Sequence, residues 1–184
     1  MDTIDDTDQG KKKVYGLTTF PVPFNLNEIQ EKFSISRNND YKPFKEEDIN
    51  KALNFHSKGN ILEAAKCYQN LINQGLKDHR IFSNYGIILK GLGKLKEAEL
   101  STRKAIEIKP DFATAHSNLG NILNDLGKLK EAELSTRKAI ELNPNYAEAH
   151  YNLGGILRDL GKLQEAELST RKAIELNPSY AQAY

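Results

Sequence analysis

The chain has 184 residues, and its 26 lysines and arginines almost cancel 25 acidic side chains, leaving a formal net charge of +1. A surface so balanced lacks the basic stripe that nucleic-acid binding calls for, and a single cysteine, Cys67, can close no intrachain disulfide. No apolar run approaches the roughly 20 residues that span a bilayer, and the start, MDTIDDTDQGKKK, lacks the apolar stretch of a secretion signal, so a cytoplasmic protein with no membrane or nucleic-acid partner is expected.

Residues 1–44 form an N-terminal extension of their own character. Residues 1–18 read as disordered, their acidic start offset by Lys11, Lys12 and Lys13. The prolines of FPVPFNL, 20–26, hold that stretch extended, and NEIQEKF predicts one short helical segment.

From residue 45 the chain becomes periodic. GKLKEAELSTRKAIE begins at Gly93, returns unchanged at Gly127, and returns at Gly161 with only Gln164 in place of lysine. Pro110, Pro144 and Pro178 are 34 apart, as are Gly86, Gly120 and Gly154. An active site is built once from distant residues, whereas a phrase repeated at a fixed interval belongs to a structure that stacks copies of itself. Four units follow, 45–78, 79–112, 113–146 and 147–180; the first is degenerate, with Leu76 for the proline and Ala52 for the glycine.

Each unit predicts two helices. In the third, Ala113 to Leu126 places His116, Leu119, Gly120 and Leu123 on one face, and Gly127 ends it. The second helix runs from about Leu129 to Leu142, buries Leu129, Ala132, Ala139 and Ile140, and stops before Asn143-Pro144. Gly120 and Ala132 allow close backbone approach. Neither helix buries its apolar stripe alone, so the units must stack. Residues 181–184 copy the start of the fourth unit and open a fifth with no polar cap, so the chain reads as a fragment or as the front of a longer protein.

Residues 147–180, AEAHYNLGGILRDLGKLQEAELSTRKAIELNPSY, closely resemble the tetratricopeptide repeat, with Leu153, Gly154, Leu157, Gly161, Ala166, Ala173 and Pro178 on signature positions. The resemblance implies an all-α, right-handed α-solenoid of helix-turn-helix units over 45–184. Thr102, Thr136 and Thr170 stand where family members often carry a bulky aromatic, and His116 and His150 where tryptophan is common.

No chemistry-bearing motif emerges. GIILKGLGK, 86–94, departs from a phosphate loop at Leu92 and Leu95. His116 and His150 have no cysteine or carboxylate at ligand spacing, and Cys67 reads as a small buried hydrophobe. No catalytic residue, cofactor site or metal site is expected. Glu99, Arg103 and Glu107, with their equivalents one and two units on, predict a solvated ladder of ion pairs.

The resemblance also implies that the first helices line a concave groove. Asn84, Asn118 and Asn152 recur there, one per unit, and an amide can pair with a peptide group. Such a ladder resembles that of the O-GlcNAc transferase-type superhelix, where it holds substrate backbones. The alternative is that these asparagines bond only to the backbone of the neighbouring helix. Asn121 and Tyr151 join the candidate peptide-binding set, with Ile49, Leu53 and Ile87 as an apolar start onto which residues 19–26 would fold. Ser83, Ser117 and Tyr151 at expected groove positions argue against a cationic clamp for acidic tails. The expected function is a protein-interaction scaffold for an extended peptide; the alternative is a substrate-recruiting arm of a larger enzyme. Self-association through the uncapped C-terminal end is also expected.

Overall fold

The computed structural model describes the backbone of residues 46–183 and the side chains of 46–181. The expectations for residues 1–44, including their packing on the first unit, lie outside the described residues. Eight α-helices make up the array: α1 Glu46–Ser57, α2 Ile61–Asn73, α3 His79–Gly91, α4 Leu95–Ile108, α5 Ala113–Asp125, α6 Leu129–Leu142, α7 Ala147–Asp159 and α8 Leu163–Leu176. A 3-10 turn, Pro178–Ala183, follows. There are no strands among the described residues, and the helices stack pairwise as an all-α solenoid.

The loops fold as they do because of their glycines. Gly93 has φ 73° and Gly127 φ 72°, in the left-handed region. There the Lys94 N–H reaches the Leu89 carbonyl and the Gly93 N–H the Lys90 carbonyl, which ends α3 as a Schellman turn. At the other end of each unit Lys109, Asn143 and Asn177 are extended, as the residue before a proline must be.

Within a unit the helices touch through backbone. A Cβ built on Gly120 would lie 2.0 Å from Thr136 Oγ1 and 3.2 Å from the Ala132 carbonyl oxygen; Gly86 and Gly154 are equally tight against Thr102 and Thr170. The buried hydroxyl needs a partner, and Thr136 Oγ1 donates to the Ala132 carbonyl at 2.9 Å. Unit one fills the same two places with larger side chains: Ala52 stands across from Tyr68, and both are fully buried. In α6, Ala132 and Ala139 are fully buried, while Leu129 and Ile140, expected in the core, are half-buried.

Successive units are joined by helix packing and by charge. Successive first helices α3, α5 and α7 touch directly. Within each unit, Ser101, Ser135 and Ser169 of the second helix donate to the Phe82, His116 and His150 carbonyls of the first at 2.8, 3.0 and 3.0 Å. Ion pairs bridge the second helices: Arg103 holds Glu99 and, in the next unit, Glu131 at 3.1 Å, and Lys128 reaches back to Glu99 at 2.9 Å. Arg137, Glu133, Glu165 and Lys162 repeat this arrangement. The expected ladder thus runs across units as well as along helices, and Glu107 pairs with Lys104 rather than Arg103.

Glu99 and Glu133 are only 14% and 13% exposed, and hydrogen bonds from Lys128 and Lys162, then from Arg103 and Arg137, hold both carboxyls below the usual carboxylate range. A folded-state pKa below the unfolded one means the unfolded chain binds more protons as the pH falls. This stabilisation is complete above the unfolded carboxylate value of about 4.3 and is lost as the pH drops through the folded one. In thermal melts from pH 7 to 3, Tm should fall below that value, and the Glu99→Gln/Glu133→Gln variant should show a shallower fall from a lower start. Equal slopes would show that these pairs do not couple the units.

Candidate peptide-binding face

The first helices α1, α3, α5 and α7 lie side by side, and the second helices stand farther apart with clefts between them. The stack therefore bends toward the first helices, whose outward residues form its inner face.

On that face Asn118 Nδ2 donates to Ser83 Oγ at 3.0 Å, and Asn152 Nδ2 to Ser117 Oγ at 3.2 Å. Each bond reaches one unit back, from one first helix to the one before it. Ser83 and Ser117 are 1% and 0% exposed and Asn118 7%, so the serines are buried partners of the asparagines rather than groove residues. Asn118 is thus an amide largely withdrawn from water. The alternative of a bond to the neighbouring helix is met by a serine side chain, not by backbone. Asn152 remains half-buried.

Asn84 is the exception, for a reason visible one unit back. The position that would supply its serine is Ile49, which is 5% exposed and packs with Ala52, Ala64, Tyr68, Leu71 and Ile81. Ile49 is therefore core and not part of an apolar groove start. Asn84 instead neighbours the Tyr68 hydroxyl, whose pKa burial pushes up to about 12. His56 Nδ1 meets the same hydroxyl at 3.2 Å.

Leu53 and Ile87 are half-buried, Leu53 against the unit-one core. Asn121, half-buried, sits one turn beyond Asn118 on α5. One turn further is Asn124, which sequence reasoning missed. Its carbonyl oxygen is the one buried side-chain polar atom without a partner among the described residues, and its Nδ2 meets Asp159 at 3.5 Å. The polar run Asn118, Asn121, Asn124 at intervals of three was the available signal. At the far end Tyr151 takes the place of Ser117 and stacks on Tyr180, with ring centroids 4.9 Å apart and planes at 25°.

The charges on the face are mostly paired. Arg80 is held by Asp78 at 2.7 Å and Glu46 at 3.1 Å, and Lys90 by Asp125 at 3.1 Å. Among the described residues no three histidines, cysteines or carboxylates gather as a metal site would need. His116 and His150 each direct Nε2 at a proline carbonyl, Pro110 and Pro144, at 2.9 Å. No described helix is long and apolar enough to cross a membrane.

Comparison with known proteins agrees with this architecture. No curated protein matches the chain in sequence. Among solved structures, it is similar to YrrB, described as a TPR protein with an unusual peptide-binding site, at 21% identity over 83% of this chain and 80% of that one, TM-score 0.64. It is similar to the first TPR of Spaghetti (RPAP3) bound to an HSP90 peptide, SRMEEVD, at 26% identity over 61% of this chain and 89% of that one, TM-score 0.57. A Thermobaculum terrenum O-GlcNAc transferase matches at 24% identity over 61% of this chain but 22% of its own length, TM-score 0.58. Family models described as tetratricopeptide repeat match residues 79–112 and 147–180, and one described as TPR repeat matches 120–157, together just over half of the chain. With the glycine-on-threonine contacts and stacked helix pairs already in place, these matches establish that the chain belongs to the tetratricopeptide repeat family.

Proposed function

We propose that the chain is a protein-interaction scaffold and that an extended peptide lies along the face of α1, α3, α5 and α7. The observation that carries this reading is the register of Asn118 and Asn152, one amide per unit, each oriented by a serine of the unit before. A fixed Nδ2 leaves the side-chain carbonyl as an acceptor for a ligand N–H. YrrB and the RPAP3 repeat, both named for peptide binding, support the class of partner.

Spacing selects the ligand's conformation. Packed helices lie roughly 8–10 Å apart. Three residues of polyproline II, at about 3.1 Å each, cover that distance and return to the same side of the ligand. Three residues of a β-strand end on the opposite side. The reading is therefore of a polyproline II-like segment that presents an N–H at every third residue. An acidic tail gains little here, because Arg80 and Lys90 already have carboxylate partners.

The test is a backbone N-methylation scan of a peptide selected from a random display library against the full chain. Affinity should drop at every third residue, by about tenfold per site for a lost hydrogen bond of about 0.5–1.5 kcal/mol. A flat scan, or a period of two, would exclude the asparagine register while leaving open a scaffold that binds in another way.

A further inference from the structure

The outer face of α4, α6 and α8 carries a row that neither the stack nor the peptide face uses. Leu100, Leu134 and Leu168 occupy the same place in three units and are 70%, 70% and 69% exposed. Single exposed leucines need no explanation, but the same exposed leucine repeated in three successive units marks a surface that meets something. Each leucine also walls a cleft between successive second helices. The cleft beside Leu134 is about 560 Å³ with Ile106, Leu119 and Leu123 in its lining, and those beside Leu168 and Leu100 are about 520 and 380 Å³. His116 and Leu123 line the first, where the repeat signature has tryptophan and tyrosine, so smaller side chains leave the space open.

Charge then says what covers the row. On α6 a glutamate, Glu131, precedes Leu134 by three residues and a lysine, Lys138, follows it by four; Glu97, Leu100 and Lys104 on α4 and Glu165, Leu168 and Lys172 on α8 repeat the order. On α4, α6 and α8 a glutamate therefore stands on one side of the leucine row and a lysine on the other. We propose that this face pairs with the same face of a second copy of the chain, about a two-fold axis running along the leucine row.

That axis makes facing helices antiparallel. Leu134 then meets Leu134 of the second copy, and Glu131 of each copy meets Lys138 of the other. An axis parallel to the helices would instead set glutamate against glutamate, which like-charge repulsion disfavours. One face supplies both halves of the match, as a closed two-fold interface requires. Glu131 and Lys138 already have neighbours, Arg103 at 3.1 Å and Glu141 at 2.7 Å, but exposed pairs exchange at little cost. Because the stack bends away from this side, contact is deepest at α6 and shallower at α4 and α8. The pairing leaves the inner face free and stands whether or not that face binds peptide.

Sedimentation equilibrium of the full chain over a concentration series, with helicity followed by circular dichroism, tests this. Wild type should dimerise. Leu134→Ser should weaken the dimer by about tenfold or more, as for a central interface residue, and Leu100→Ser/Leu134→Ser/Leu168→Ser should be monomeric with helicity kept. Glu97→Lys/Glu131→Lys/Glu165→Lys and Lys104→Glu/Lys138→Glu/Lys172→Glu should each be monomeric alone and dimerise when mixed. A monomeric wild type, self-association that survives the triple leucine change (as pairing through the chain ends would), or charge variants that fold yet fail to pair on mixing would each overturn the proposal. If a charge variant fails to fold, the leucine series decides.

Discussion

Gly120→Leu should be the most damaging single substitution in the array, costing about 3 kcal/mol, the upper end for forcing extra carbon into a packed contact. Even a Cβ at this position would lie 2.0 Å from Thr136 Oγ1 and 3.2 Å from the Ala132 carbonyl oxygen, and the latter is backbone that cannot swing aside. Leucine would have to separate α5 from α6 and break the tightest contact of the unit. For a chain of this size the loss corresponds to a Tm lower by roughly 6–12 °C. Three companions fix the mechanism. Gly120→Ala should cost less, and Thr136→Ala should recover much of that cost by removing the hydroxyl it strikes. Gly155→Ala, where nothing lies within 4 Å, should instead stabilise by about 0.5–1 kcal/mol through helix propensity alone. Thermal melts of the four variants check the order. If Gly120→Leu and Gly155→Ala melt alike, the close-packing account is wrong.

That contact shows what the sequence made legible and what it did not. The 34-residue spacing placed the helices to within a residue: α6 spans Leu129–Leu142 as its pattern predicts, and α5 ends at Asp125, one residue short of expectation. Periodicity reads well because the same physical demands recur in every unit, so each copy confirms the others. It could not say what threonine does opposite glycine, because a hydroxyl bonded to its own helix looks, in sequence, like any polar residue on a surface.

The same blindness affected the inner face. Ser83 and Ser117 are small and polar and were placed in a groove, whereas both are buried beneath an asparagine of the next unit. Ile49 occupies their equivalent position in unit one and turns that site into core. Polarity alone cannot tell a solvated side chain from one satisfied across a helix interface, since that depends on a partner 35 residues away. The ion pairs between second helices were half legible for the same reason: i,i+4 spacing is written along one helix, but the reach from Arg103 to Glu131 depends on how units stack.

The buried serines reshape what substitution of the asparagines should do. Asn118→Ala leaves the Ser83 hydroxyl, 1% exposed, without its partner, and a stranded buried polar group costs about 1–3 kcal/mol. Asn152→Ala should cost less, since Asn152 is half-buried and its bond to Ser117 is longer, 3.2 Å against 3.0 Å. A loss of binding in either variant would be ambiguous by itself, so the informative comparison runs through the serine. Ser83→Ala removes the buried hydroxyl and keeps the Asn118 amide; the selected peptide should still bind it within a few-fold of wild type. Ser83→Ala/Asn118→Ala removes both, so it should melt above Asn118→Ala yet bind as weakly, about tenfold below wild type for one hydrogen bond. Extending the change to Asn152 and Ser117 should reduce affinity about a hundredfold, close to abolishing a micromolar interaction of only about 8 kcal/mol. Tm and peptide affinity, measured on the same preparations, separate the two roles. Should affinity follow Tm through the whole series, and return with it in the serine–asparagine double variant, the asparagines would be inter-unit ties and nothing more.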